Sequence, residues 1–332
     1  MIRKKKIAGT SLDAAEFVLG GVELGAGLGL KESFRLMDAY VELGGNMVDT
    51  AEIYSNWLPH EPSRSETVIG QWMAERKNRS RLIVTTKGAH PRLDSMQMPR
   101  MSEAELRHDL EGSLARLGMD SIDLYWLHRD DASRPAGEIV ETMNRFVKEG
   151  KIRWYGASNW TAGRLAEAQE YAAAHGLQGF SGNQPGWSLA LADPARFTDP
   201  TLVFMDNALH EYHVRTGLSV FAYSSQAQGL FTKMAASADN DFPEKTAAMY
   251  RVADNRRRLA EVKLLAERYG ATVNQIALAY LLAQPFPVFP VVGAKRSAQL
   301  EDSLGAGKIR LTEEECRRLD AGLFQVQAPP PQ

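Results

Sequence analysis

Cysteine is nearly absent from this 332-residue chain, and Cys316 is the only one. No internal disulfide and no cysteine-based metal cluster can form, so no metal is expected, and the reading is a reducing compartment, the cytoplasm. Long apolar runs are missing as well. None approaches the ~18 residues that cross a bilayer, so no membrane span is expected. The opening Met-Ile-Arg-Lys-Lys-Lys carries the charge of a secretory leader, but Asp13, Glu16 and Glu23 interrupt the apolar stretch that should follow. Lys4–Lys6 reads as a solvated start to the chain. Neither sign of charge dominates: 39 Lys and Arg stand against 41 Asp and Glu. That balance excludes a global basic field for nucleic acid or a membrane surface. What is present is ordinary for a globular protein, with 44% apolar and 24% charged residues.

At ~150 residues per domain the length allows two domains, but an α/β barrel also reaches this size as one. Glycine decides between them. Helix-like segments stop at Gly44, Gly118, Gly150, Gly176, Gly217 and Gly270, where a left-handed cap is tolerated. Short apolar runs follow five of them, at Asn46–Asp49, Ile122–Leu127, Ile152–Gly156, Phe180–Asn183 and Leu218–Ala222. Phe17–Gly21, Leu82–Thr86 and Val288–Val292 complete eight candidate strands. Between them run amphipathic patterns, such as Leu106, Leu110, Leu114 and Leu117, with capping boxes at Ser102/Glu105, Thr272/Gln275 and Thr312/Glu315. Eight strand–helix units predict an α/β fold, a single (β/α)8 TIM barrel over residues 1–332. A doubly wound sheet would need a G-x-G-x-x-G turn after the first strand, and the glycines at 20, 21, 25, 27 and 29 do not supply a convincing one. Long polar segments near 55–66, 88–101 and 226–255 follow strands, which places them as loops on the C-terminal rim.

In a barrel, the C-terminal strand ends meet at one mouth. Three of them end in chemistry: Asp49 closes the second strand, Lys87 the third and His128 the fourth, with Tyr54 five residues past Asp49. Singly, an Asp there is more often a cap, a Lys solvated, a Tyr packing and a His a backbone tie. Together they make sense as proton donation to a carbonyl oxygen while a hydride arrives at carbon. A free phenol has a pKa near ~10, and a neighbouring ammonium lowers it. The aspartate keeps that ammonium charged, and the histidine orients the substrate oxygen.

These motifs resemble the aldo-keto reductase superfamily. The resemblance is carried by Val48-Asp49-Thr50-Ala51-Glu52-Ile53-Tyr54, Thr85-Thr86-Lys87-Gly88 and Asp123-Leu124-Tyr125-Trp126-Leu127-His128. It continues, in order, through Gly156-Ala157-Ser158-Asn159, Asn183-Gln184, Phe221-Ala222-Tyr223-Ser224 and Val292-Gly293-Ala294-Lys295-Arg296. The resemblance implies a (β/α)8 barrel that binds NADPH/NADP+ and reversibly reduces a small-molecule aldehyde or ketone. It implies Tyr54 as general acid, tuned by Lys87 and Asp49, with His128 orienting the carbonyl. Ser158, Asn159 and Gln184 would bond the nicotinamide carboxamide and Tyr223 would stack on its ring. Ser224 and the backbone after it would approach the pyrophosphate. Lys295 and Arg296, after Gly293, would take the 2′-phosphate, with Gln299 and Asp302 at the adenine. Ser303 stands where many relatives carry Asn. A hairpin plugging the barrel bottom would come from Ile7–Leu19.

For the substrate, Trp57, Trp126, Trp160 and Trp187 are expected at the pocket rim, with His60 among the polar neighbours. That pattern suits a sugar-like carbonyl slightly better than an aryl aldehyde. Two rivals stand beside this reading: a slow regulatory subunit of the same fold, as the potassium-channel β subunits suggest, and a Schiff-base barrel using Lys87. Oligomeric state is left open, with a homo-oligomer compatible.

Overall fold

The computed structural model describes residues 2–59, 62–237, 239, 241–242 and 248–320. Eight parallel strands close into a barrel: β3 (Val18–Gly20), β4 (Met47–Asp49), β5 (Ile83–Gly88), β6 (Ile122–Leu127), β7 (Ile152–Ser158), β8 (Gly182–Gln184), β9 (Ser219–Ala222) and β10 (Val288–Val292). β10 pairs with both β9 and β3, which removes every free edge. All eight fall on the runs expected from the sequence.

The helices outside the barrel form for legible reasons. In α3 (Glu103–Leu117) both halves of the Ser102/Glu105 capping box are made. Leu106, Leu110 and Leu117 are buried, and Leu114 packs against the same core. Gly118 ends the helix at φ 63°, one of the six expected helix-stop glycines, all of which have positive φ. The boxes at Thr272/Gln275 and Thr312/Glu315 are also reciprocal.

Apolar side chains divide into two layers. One lies between strands and helices, and the other fills the barrel interior with Val18, Met47, Ile83, Leu124, Trp126, Phe221 and Phe289. Trp126 lies edge-on to Phe221 at 4.9 Å between centroids, and Phe221 stacks on Phe289 at 4.7 Å. Gly156 makes room for this indole, since a Cβ there would collide with the Trp126 ring. Trp126 is therefore barrel core and not pocket rim. Trp160 is also fully buried, with its indole N–H donating to the Arg129 carbonyl at 3.1 Å.

The barrel bottom is plugged by a hairpin of β1 (Lys4–Lys6) and β2 (Asp13–Ala15), with Ile7, Leu12 and Ala14 in the interior core. The hairpin starts earlier than expected: Lys4–Lys6 is a strand, in which Lys4 and Lys6 are exposed, as expected, and Lys5 is partly buried. Lys5 donates to the Val288 carbonyl at 2.5 Å and sits 4.8 Å from the Phe289 ring centre. A long charged stem can cover an apolar opening in this way. The 226–255 segment is likewise more than a loop among its described residues. It contains α7 (Leu230–Ala236), two 3-10 turns and the start of α8 (Asp254–Tyr269). Among the described residues no helix is long and apolar enough to cross a membrane.

Candidate active site

Side chains alternate across a strand, so residues two apart share a face. Register links Asp49 with Thr85, Lys87 with Trp126, Trp126 with Gly156, and Ser158 with Gln184. Asp49, Lys87, Ser158 and Gln184 therefore project inward from the C-terminal ends of four strands, above the Trp126 layer. His128 follows β6, its backbone N–H donating to the Gly88 carbonyl at 2.8 Å.

Lys87 is the centre of this layer. Its Nζ donates to Asp49 Oδ2 at 2.6 Å, to the Thr50 carbonyl at 2.7 Å and to the Tyr54 hydroxyl at 3.1 Å. Lys87 and Asp49 are 1% and 2% exposed, so almost no solvent screens the pair. Asp49 Oδ1 also accepts from Thr85 Oγ1 at 2.7 Å and Gln184 Nε2 at 3.3 Å. Burial pulls the Lys87 ammonium down, but the Asp49 charge and the Tyr54 contact outweigh it and hold the group above its ordinary value.

For Tyr54 the balance differs from the sequence expectation. Burial pushes the phenol up, and the Lys87 charge opposes it without overcoming it. The phenol is therefore protonated at neutral pH, as a proton donor must be. His128 lies edge-on to Tyr54 at 6.0 Å. Burial holds its imidazole well below the usual range, with Arg129, His90 and Lys87 adding to the effect, so the ring is neutral. Its Nδ1 is buried with no hydrogen-bond partner among the described residues, and the ring lines the cavity described below.

Above these residues opens a cavity of about 1070 Å³. Asp49, Tyr54 and His128 line one end, and Lys295 and Arg296 line the other. The chain matches the aldo/keto reductase family over residues 16–323. The chain belongs to the aldo/keto reductase family. An aldo-keto reductase of Strobilurus tenacellus, str7, is 31% identical over 293 residues, spanning 86% of this chain and 79% of its own. The Bacillus subtilis oxidoreductase YrpG is 30% identical over 317 residues, spanning 94% and 93%. Norsolorinic acid reductase stcV of Emericella nidulans is 29% identical over 296 residues, spanning 87% and 71%. A thermostable aldo-keto reductase crystallised with the inhibitor epalrestat superposes with a TM-score of 0.71 at 25% identity, covering 96% of this chain and 98% of its own. The family reduces carbonyl compounds and generally uses a nicotinamide cofactor.

In this aldo/keto reductase every residue expected at the cofactor lines the cavity: Ser158, Asn159, Gln184, Tyr223, Ser224, Gly293, Lys295, Arg296, Gln299 and Asp302. Asn159 is already saturated by the protein. Its Nδ2 donates to the His128 carbonyl and to Ser158 Oγ, both at 3.1 Å. Its Oδ1 accepts from the Val203 N–H at 2.9 Å and the Tyr223 hydroxyl at 2.8 Å. At φ 60° it ties three strand ends and a rim loop together. Ser303 is buried and holds the side chains of Gln226 and Asn274 at 3.1 Å each.

The substrate residues fare unevenly. Trp57 is half exposed and edge-on to Tyr54 at 6.4 Å. Trp187 is 3% exposed and stacks on Phe286 at 5.9 Å within the core, and it is not among the residues that line the cavity, although its backbone N–H donates to the carbonyl of Tyr223, which is. His60 lies outside the described residues.

Several lining residues went unread in the sequence: Glu23, Leu202, Gln228, Lys233 and Asn274. Arg129 donates to Asp199 at 2.8 Å and Thr201 at 2.7 Å, which pins the long segment after β8 against the mouth. Gln228 and Lys233 come from the stretch after β9, where Ser224, Ala227, Gln228 and Gly229 all have positive φ. The glycine of Gln226-Ala227-Gln228-Gly229 was the one available signal of a tight turn there.

Proposed function

We propose that this enzyme reversibly reduces an aldehyde or ketone with NADPH, Tyr54 serving as the general acid. The observation that carries the reading is the buried relay from Asp49 through Lys87 to the Tyr54 hydroxyl, opening into the cavity beside a neutral His128.

The donor set fits a phosphorylated dinucleotide. Helix α10 (Ser297–Gly305) begins at the cavity with no side chain capping it, leaving N–H groups and the positive end of its dipole free for phosphate. Arg296 and Lys295 add cationic contacts to a 2′-phosphate. Among the described residues nothing lies within 4 Å of where a Gly293 Cβ would stand, so a ligand can approach that backbone. Ser158 and Gln184 would read the carboxamide, with Asn159 holding the surrounding strand ends. Tyr223 would lie against the nicotinamide ring, and Gln299 and Asp302 would take the adenine end. When bound, the cofactor supplies hydride to the carbonyl carbon.

The chain's own residues handle the proton. The buried, unpartnered Nδ1 of His128 favours the tautomer that carries its proton on Nε2, which can donate to the substrate carbonyl oxygen. The same oxygen receives the Tyr54 proton as negative charge develops on it. Lys87, held charged by Asp49, stabilises the resulting phenolate. A Schiff base on Lys87 is disfavoured, because its Nζ is buried, protonated and bonded to three acceptors. For the substrate we infer a carbonyl carried on a ring, sugar-like or aromatic, lying against Trp57. What supports this is that, of the four tryptophans expected at the rim, Trp57 alone is exposed, and its ring lies edge-on to Tyr54.

Tyr54→Phe tests the reading, since the ring stays and the hydroxyl goes. Turnover of an aldehyde panel should fall by about 10²-fold or more, with NADPH affinity changed by less than about three-fold. Unchanged turnover would end the assignment. A wild-type chain that binds NADPH but oxidises it with no carbonyl would favour the regulatory reading.

A further inference from the structure

At the far end of the cavity the two cations are not alone. Glu23, from the loop between β3 and α1 (Leu30–Glu42), also lines it, and its Oε2 lies 3.3 Å from Lys295 Nζ. This pair joins the loop after the first barrel strand to the loop after the last. The carboxylate is placed there by a built turn: the Glu23 carbonyl accepts from the Ala26 N–H at 3.2 Å and from the Leu28 N–H at 2.9 Å. Gly27 then lies directly beneath the side chain. A Cβ at Gly27 would collide with Glu23 Oε2 in this position, so the glycine leaves room for the carboxylate beside Lys295. Arg296, one residue on, forms no ion pair among the described residues and faces the same cavity.

Glu23, Lys295 and Arg296 together therefore carry two positive charges less one negative, a single net positive charge. A 2′-phosphate brings close to two negative charges at neutral pH, must displace Glu23 from Lys295, and is repelled by it. A 2′-hydroxyl has no such conflict, since a carboxylate accepts a hydrogen bond from it. We infer that Glu23 is a specificity residue that holds Lys295 back from the 2′-phosphate and narrows the preference for NADPH over NADH. The inference rests on the proposal that this cavity holds the dinucleotide.

Calorimetric titration of the full chain with NADPH and, separately, with NADH tests it. Glu23→Gln keeps the shape and removes the charge. It should tighten NADPH about five-fold, as expected for one partly solvated unit charge a few ångströms away. NADH should be unchanged or weakened, and the NADPH effect should shrink as salt is raised. A ratio of the two Kd values that moves by less than about two-fold, or an NADPH affinity that falls, would overturn the role of Glu23. Should Glu23→Gln not fold, Lys295→Gln reads the pair from the other side. Removing a cation already engaged by Glu23 should weaken NADPH by less than about three-fold, against about ten-fold for Arg296→Gln, and equal losses would overturn the proposal. A wild-type chain that binds neither nucleotide would instead sink the cofactor reading itself.

Discussion

Removing the charge of Asp49 probes the relay directly. In Asp49→Asn the Lys87 ammonium keeps its contacts with the Thr50 carbonyl at 2.7 Å and the Tyr54 hydroxyl at 3.1 Å, but loses its only buried counter-charge among the described residues. Breaking one side of a buried pair costs about 3–5 kcal/mol, and the two surviving acceptors put this case near 3 kcal/mol. The cost depends on pH, with a sign that can be worked out. In the wild type Lys87 sits above its ordinary value, so its stabilisation is complete below the usual lysine range and lost only as pH rises through the folded value. In the variant burial acts with no Asp49 charge against it, and the folded value falls below the unfolded one. The deficit is then largest near neutrality and shrinks as the pH rises toward ~10.4. Guanidinium unfolding followed by fluorescence of the six tryptophans at several pH values measures it. The double variant Asp49→Asn/Lys87→Met removes both charges and should recover to within about 1 kcal/mol of wild type. A single variant costing under about 1 kcal/mol, or a double variant as unstable as the sum of the two singles, would refute the claim that the buried pair governs this layer.

Two further outcomes are expected. Arg296→Ala should weaken NADPH about ten-fold and NADH by less than about two-fold, measured by quenching of protein fluorescence, and equal losses would mean that Arg296 does not read the 2′-phosphate. Burial at the barrel bottom lowers the Lys5 ammonium from 10.5 to about 8. Because the folded value is the lower one, the unfolded chain binds more protons between those limits, and stability due to Lys5 rises with pH across that window. The melting midpoint of wild type should therefore gain on that of Lys5→Met between pH 8 and pH 10.5, and parallel curves would place Lys5 in solvent.

The strand and helix boundaries were legible because they are written in local patterns. Ile122–Leu127 and Val288–Val292 are each an apolar run followed by a change of character, and both strands have those bounds. Gly118 stops its helix because its own backbone must turn left-handed there. The proposed catalytic constellation was legible for a related reason: Asp49 ends its strand, Lys87 stands one residue before the end of the next and His128 directly follows the one after, and a closed parallel barrel brings all such ends to one mouth.

The rest needed partners distant in sequence. Nothing near Trp126 or Trp187 says that one fills the barrel between Gly156 and Phe221 and the other stacks on Phe286, so both were expected at a rim. Lys4–Lys6 reads as a solvated tail until Asp13–Ala15 pairs with it and Phe289 receives the stem of Lys5. Glu23 and Lys295 stand at opposite ends of the chain, and only ring closure between β3 and β10 sets them side by side. By itself the sequence determined which residues could do the chemistry and where each strand delivers them. The tertiary structure decided how each behaves, because burial and the field of remote neighbours set the protonation of Tyr54, Lys87 and His128, and neither can be read from a residue's own surroundings along the chain.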